Sequence, residues 1–179
     1  PDEPLIQSEL KDLGSRVQSM AAIHQQLYQS GDFAQIKFGT YMRKLVTRIG
    51  RTHIPQSKEI ALEFDLQTVV LPLETAVPAG LIVNELVINA IKHGYPPNKK
   101  EGVIRCELVA DRYRNRVYMT VENDGLPFDV NDVQDGHTTG MQLIDLLVRQ
   151  IRGKLVMTIE NGISRFTFSF QVREERVPK

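Results

Sequence analysis

Four polar side chains, Glu85, Asn89, Lys92 and His93, recur at i, i+4, i+7 and i+8 within Asn84-Glu85-Leu86-Val87-Ile88-Asn89-Ala90-Ile91-Lys92-His93. At about 100° per residue they share one edge of a helix, while Val83, Leu86, Val87, Ala90 and Ile91 make a broad apolar face. An asparagine oxygen is a hard, neutral donor suited to Mg²⁺, which takes oxygen ligands and keeps several waters. A neighbouring lysine and histidine can meet phosphate oxygens, and a glutamate one turn back can orient or deprotonate a nucleophile. The same positions also suit the solvated face of an amphipathic helix, and the helix alone does not choose between the two. Asn123-Asp124-Gly125 ends a strand-like stretch, where glycine permits close backbone approach to a ligand, although such turns are common. Gly136-His137-Thr138-Thr139-Gly140 opens another helical stretch, whose first N–H groups and dipole suit an anion. Neither G-x-x-x-x-G-K-[ST] nor G-x-G-x-x-G occurs.

The elements that must position these residues follow from periodicity. Leu13, Val17, Met20, Ala21, Ile23, His24 and Leu27 recur at three- and four-residue steps and predict a helix over Leu5–Tyr28, ended by Ser30-Gly31-Asp32. A second helix spans about Phe38–Arg51, with Phe38, Tyr41, Met42, Leu45, Val46 and Ile49 on one face and Pro55 closing the region. Ile60, Leu62, Phe64 and Leu66 then alternate with Glu59, Ala61, Glu63 and Asp65, the pattern of a half-buried strand. Pro72 and Pro78 bracket a turn before the helix Ala79–His93, which runs into the loop Gly94-Tyr95-Pro96-Pro97-Asn98. Strands are expected at Val103–Ala110 and Arg116–Glu122 around the turn Asp111–Asn115. Asn123–Thr139 is too polar and punctuated for regular structure. Helix Met141–Arg152 and strands Lys154–Ile159 and Arg165–Val172, joined by Glu160-Asn161-Gly162, finish the chain. This alternation, without strict βαβ spacing, implies an α+β layer: one mixed sheet with helices on a single face.

Composition removes several function classes. At 179 residues, 41% hydrophobic and 25% charged, the chain holds one ordinary domain with a real core, or one domain with a short appendage. Lys plus Arg equals Asp plus Glu at 22 each, so no global charge favours nucleic acid or an anionic membrane. The longest uninterrupted apolar runs fall short of the roughly 20 residues that span a bilayer. A single Cys106 cannot form an internal disulfide, which suits a reducing cytoplasm. The first residue is Pro1 rather than Met, which leads us to expect a fragment or a processed product.

Taken in order, a Glu-x-x-x-Asn helix, two strands, a glycine turn, a polar loop, a glycine-led helix and a strand pair resemble the Bergerat-fold ATPases, the class of gyrase, Hsp90, MutL and histidine kinases. The nearer resemblance is to sensor histidine kinases related to the HWE subfamily. Ser15–Tyr28 is similar to that subfamily's second dimerisation helix, and Val77–His93 to its N box. Gly140-Met141-Gln142-Leu143-Ile144 is similar to its last glycine box, and Gly162–Phe166 to its terminal G-T-x-F. The resemblance implies a two-layer sandwich preceded by an N-terminal helix. Residues 1–33 would be the second helix of a dimerisation hairpin and residues 34–179 an ATP-binding catalytic domain. It also implies ATP and Mg²⁺ as cofactors, a response-regulator receiver as partner, homodimerisation in the full-length protein, and a cytoplasmic location without nucleic-acid or membrane contact.

By the same match Asn89 is the Mg²⁺ ligand, Glu85 holds the catalytic acidic position, and Lys92 and His93 lie near the phosphates. Asn123 stands where the family has the Asp that accepts from the adenine amino group, with Gly125 in the turn beside it. Thr139 and Gly140 begin the helix beneath the phosphates, and Ser164 replaces the Thr that supports adenine recognition. Asn123 can still accept through its carbonyl oxygen but loses a charge-assisted bond, typically about twice as strong as a neutral one. Leu126-Pro127 also remove the second glycine of the family's D-x-G-x-G, so weak ATP binding, competed by ADP, is expected. Of the four histidines, His24 matches a structural position, His53 follows a basic helix end, and His137 falls in the expected ATP lid. None lies in an acceptor motif like H-R-V-K-N, so the phosphoacceptor is expected elsewhere, upstream of Pro1. Histidines and Cys106 show no zinc-ligand spacing. Two rivals remain: a degenerate, non-catalytic signalling and dimerisation module, and a gyrase- or MutL-like ATPase in which Glu85 activates water.

Overall fold

The computed structural model describes residues 35–128 and 139–172, together with Ala21 and Gln25, both helical and exposed. The rest of the expected Leu5–Tyr28 helix, His24, and Gly136 and His137 of the expected lid lie outside the described residues. A short strand β1 (Ile36–Lys37) leads into helix α1 (Phe38–His53), whose six expected apolar positions are all buried. Arg51 and His53 sit in its last turn, where positive charge complements the helix dipole. His53 Nδ1 lies 3.2 Å from the Ile49 carbonyl, so that nitrogen carries the proton.

Strand β2 (Glu59–Leu66) is followed by β3 (Val70–Leu71), which pairs antiparallel with β1 through Ile36 opposite Leu71. The next helix departs from expectation. Helix α2 runs from Leu73 to Gly94, so the segment between Pro72 and Pro78 is its first turn and a half rather than a loop. Pro72 is the N-cap, and its carbonyl accepts from Thr75 and Ala76 N–H at 3.0 and 2.9 Å. Pro78 lies inside the helix, where its fixed φ is helical and its missing N–H leaves only the Glu74 carbonyl without an intrahelical donor. Burial of Ala76, Ala79, Ile82, Val83 and Leu86 along the same helix outweighs that one lost bond. Helix α2 is also the one described helix long and apolar enough to cross a bilayer, but 78% of that stretch is buried inside the fold, as suits a core helix.

Strands β4 (Glu101–Asp111) and β5 (Arg116–Asn123) form a hairpin, then α3 (Thr139–Gln150) leads to the hairpin β6 (Lys154–Glu160) and β7 (Ile163–Gln171). Asp111 Oδ1 accepts from Tyr113 and Arg114 N–H in the first turn, and Asn161 and Gly162 supply the positive φ values of 52° and 79° that a tight second turn requires. The strand order is β2-β4-β5-β7-β6, with β2 parallel to β4 and every other pair antiparallel, the mixed sheet expected from the sequence.

Period-two alternation sorts the two faces. Ile104, Cys106, Leu108, Val117, Met119, Val121, Phe168 and Phe170 point to one side and are buried with the three helices in a single core. The opposite face is polar, with Arg105 bonded to Glu63 at 2.7 Å and Arg165 bonded to Glu122 at 2.6 Å around an open groove. The three described helices α1, α2 and α3 therefore cover one face. Between α1 and α2 the contact is close because position 80 is glycine: a β-carbon there would sit 2.7 Å from Tyr41 Oη.

Candidate functional site

The polar edge of α2 is graded along its length. Glu85 is buried, Asn89 half-buried, and Lys92 and His93 exposed, so a uniformly solvated face describes only its C-terminal end. Asn84 was not among the expected site residues, yet it is fully buried and its Nδ2 stands 3.5 Å from Glu85 Oε1. Asn84 Oδ1 and Tyr41 Oη are buried without a hydrogen-bond partner among the described residues. Burial raises the Tyr41 hydroxyl well above the ordinary tyrosine range.

The C-terminal end of α2 is seated on the turn after β5. Leu126 N–H donates to the Gly94 carbonyl at 2.7 Å, and a β-carbon at Gly125 would come within 2.3 Å of that same oxygen. Only glycine at 125 lets the two backbones meet so closely. A β-carbon at Gly94 would in turn lie 2.8 Å from Asn123 Oδ1. Asn123 is buried, and the same Oδ1 accepts from Gly125 N–H at 3.1 Å. Its cross-strand neighbour on β7 is Ser164, also buried, whose Oγ accepts from Phe128 N–H at 3.4 Å.

The expected base-reading residues Asn123, Gly125 and Ser164 thus form one cluster, and the Gly94 seat ties the helix that carries Glu85, Asn89, Lys92 and His93 to it. Gly140, the second residue of α3, is buried, and α3 packs along α2. Thr139 begins α3, and its side chain lies outside the described residues.

A supporting frame escaped the sequence reading. Tyr95 Oη lies 2.8 Å from the Val103 carbonyl and 2.9 Å from Asp124 Oδ1, and Val103 N–H donates to that same carboxylate oxygen at 2.8 Å. Burial first, then the Asp124 hydrogen bond and charge, push the Tyr95 hydroxyl far above its usual range. Lys99 donates to the Asp124 carbonyl, and Lys58 donates to the carbonyls of Tyr95 and, at 3.0 Å, Pro96. No spacing rule connects Lys58, Tyr95, Lys99 and Asp124; only the fold brings them together. Cys106 is no part of this cleft: burial pushes its thiol up to about 12, so it is a core residue rather than a nucleophile. Among the described residues no cluster of three His, Cys, Asp or Glu side chains could hold a metal. A half-buried carboxamide such as Asn89 suits Mg²⁺ that is otherwise held by water and phosphate oxygens.

Residues 75–174 match the family described as histidine kinase-, DNA gyrase B-, and HSP90-like ATPase, and residues 2–53 match a family described as histidine kinase. Blue-light-activated histidine kinase 2 of Erythrobacter litoralis (strain HTCC2594) is 26% identical over 159 residues, covering 84% of this chain and 44% of the relative. Among solved structures, the Erythrobacter litoralis EL346 blue-light activated histidine kinase superposes with a TM-score of 0.78 at 22% identity, over 91% of this chain and 49% of that one. The mycobacterial sensor histidine kinase MprB shares the fold at a TM-score of 0.60 and 12% identity, over 76% of this chain and 96% of its own. The chain thus spans about half the length of the Erythrobacter relatives.

Proposed function

Because the chain belongs to the family of histidine kinase-, DNA gyrase B- and HSP90-like ATPases, we propose that residues 34–179 are the ATP-binding catalytic domain of a two-component sensor histidine kinase. Residues 1–33 are then the second helix of its dimerisation hairpin; they lie within the stretch 2–53 that matches the histidine kinase family, while α1, at the end of that stretch, packs in the same core as the sheet. The single observation that carries the reading is the seat of Gly94 on Gly125. It fastens the helix bearing the metal and phosphate candidates to the turn bearing the base-reading pair.

In this reading Asn123 and Ser164 meet the base, and Asn89 holds Mg²⁺ through its carboxamide oxygen. Lys92, His93 and the N-terminal turn of α3 at Thr139 and Gly140 receive the phosphates. When bound, Mg²⁺ would supply charge neutralisation to the triphosphate. Glu85, buried one turn before Asn89 and beside Asn84, orients the attacking group or takes its proton. The γ-phosphoryl passes to a histidine outside this sequence, and thence to the aspartate of a response-regulator receiver. Catalysis is by positioning and charge neutralisation, with no covalent intermediate on this chain. The full-length protein acts as a cytoplasmic homodimer.

The test is titration with a fluorescent ATP analogue, with and without Mg²⁺, on the wild-type chain and on Asn89→Ala. Saturable binding, with its Mg²⁺-dependent part lost in the variant, is expected, together with no acid-labile self-labelling from γ-labelled ATP. Absence of saturable binding up to millimolar nucleotide overturns the reading. Steady hydrolysis abolished by Glu85→Ala would transfer it to a gyrase-type machine.

A further inference from the structure

The two arms of the Asn123 carboxamide are not equally available. Oδ1 is enclosed between Gly94 and Gly125: it accepts from Gly125 N–H at 3.1 Å, and the Gly94 α-carbon is so close that a β-carbon there would lie 2.8 Å away. Turning the amide over would set an N–H donor against the Gly125 N–H donor, so the backbone fixes which arm faces which way. The arm directed away from the glycines is therefore Nδ2, a donor. An aspartate in the same place could give one oxygen to Gly125 N–H and keep a second acceptor for the ligand; asparagine cannot.

The neighbouring acid does not make up the loss. Asp124 Oδ1 accepts from Val103 N–H at 2.8 Å and meets Tyr95 Oη at 2.9 Å, on the side of the turn that faces β4. Ser164 Oγ, opposite Asn123 on β7, can donate as well as accept, so it does not discriminate between bases.

We propose that Asn123 makes the base-reading end of this cleft complementary to a 6-oxopurine, so that a hypoxanthine or guanine nucleoside triphosphate binds in preference to ATP. A purine placed with position 6 against Asn123 meets an N–H donor. The keto oxygen of hypoxanthine or guanine accepts from it, whereas the amino group of adenine presents a second donor and leaves both unpaired. A polar group left unpaired in a closed site costs more than the bond itself contributes, which makes one such mismatch enough to reorder affinities. The inference rests on the nucleotide-binding reading above and replaces its adenine by a 6-oxopurine as the preferred base.

The experiment compares ATP, ITP and GTP, each with Mg²⁺, by the concentration-dependent shift in thermal midpoint that each gives the wild-type chain, Asn123→Asp and Asn123→Ala. ITP isolates the 6-oxo group from the 2-amino group that GTP adds. The expected result is wild-type affinity for ITP roughly tenfold above that for ATP, about one hydrogen bond of discrimination. Asn123→Asp reverses the order, and Asn123→Ala brings the two affinities together. A wild-type preference for ATP, or an ITP-to-ATP ratio unmoved by Asn123→Asp, overturns the inference while leaving a nucleotide site in place. If a folded chain binds none of the three, the nucleotide reading fails, and the base preference with it.

Discussion

Gly125 faces the backbone of Gly94 with no room for a side chain: a β-carbon would lie 2.3, 2.6 and 2.7 Å from the Gly94 oxygen, carbonyl carbon and α-carbon. Backbone at a helix end cannot step aside as a flexible side chain can. Gly125→Ala is therefore expected to cost about 1–3 kcal/mol, the usual range for overpacking, and to lower nucleotide affinity by displacing Asn123. Thermal unfolding and nucleotide titration on one preparation check both effects; a variant with wild-type stability and affinity would show that the two backbones separate freely. At this scale the sequence was partly legible. Asn89, Asn123, Gly125 and Ser164 are picked out by the family resemblance, since residue type alone leaves a common turn and a solvated helix face open, and the structure brings Asn123, Gly125 and Ser164 into one cluster. Which arm of Asn123 faces the glycines could not be read, because it depends on Gly94, on another element and remote in sequence. The same holds for Asp124, whose carboxylate serves Val103 and Tyr95 rather than the ligand.

The elements were legible wherever one period dominated. The α1 face, the β4–β5 hairpin and the β6–β7 hairpin follow from spacing, and their ends differ from expectation by a residue or two. The start of α2 was not legible, because Pro78 is a local stop signal that burial on both sides of it overrides. Where α1 crosses α2, Tyr41 Oη is buried without a partner among the described residues and lies against Gly80. Replacing Tyr41 by Phe removes a desolvated hydroxyl and keeps the ring, so a gain in stability of about 1 kcal/mol is expected. Gly80→Ala, whose β-carbon would meet that hydroxyl at 2.7 Å, is expected to destabilise, and to do so less in the Tyr41→Phe background. Urea unfolding of the two single variants and the double measures this coupling. Strict additivity would mean that the crossing relaxes without involving the hydroxyl.

At the scale of the molecule, the alternation read in β2 announces a half-buried strand, and the structure has a whole sheet with one wet and one dry face. Strand order was beyond reach, since no local signal says that β2 lies beside β4 in parallel rather than at some other edge. That parallel edge governs how the chain assembles. A hairpin closes by a short turn, whereas β2 reaches its neighbour only after α2 has crossed over the layer. Long loop closure is paid before a distant pairing is rewarded, so the β4–β5 and β6–β7 hairpins should form first, and the β5–β7 and β2–β4 pairings after them, with β2 left at the edge of the sheet. Native-state amide exchange with deuterium then sees two cooperative units: β2 opens at lower free energy than β5 and β7, which retain their protons until global unfolding.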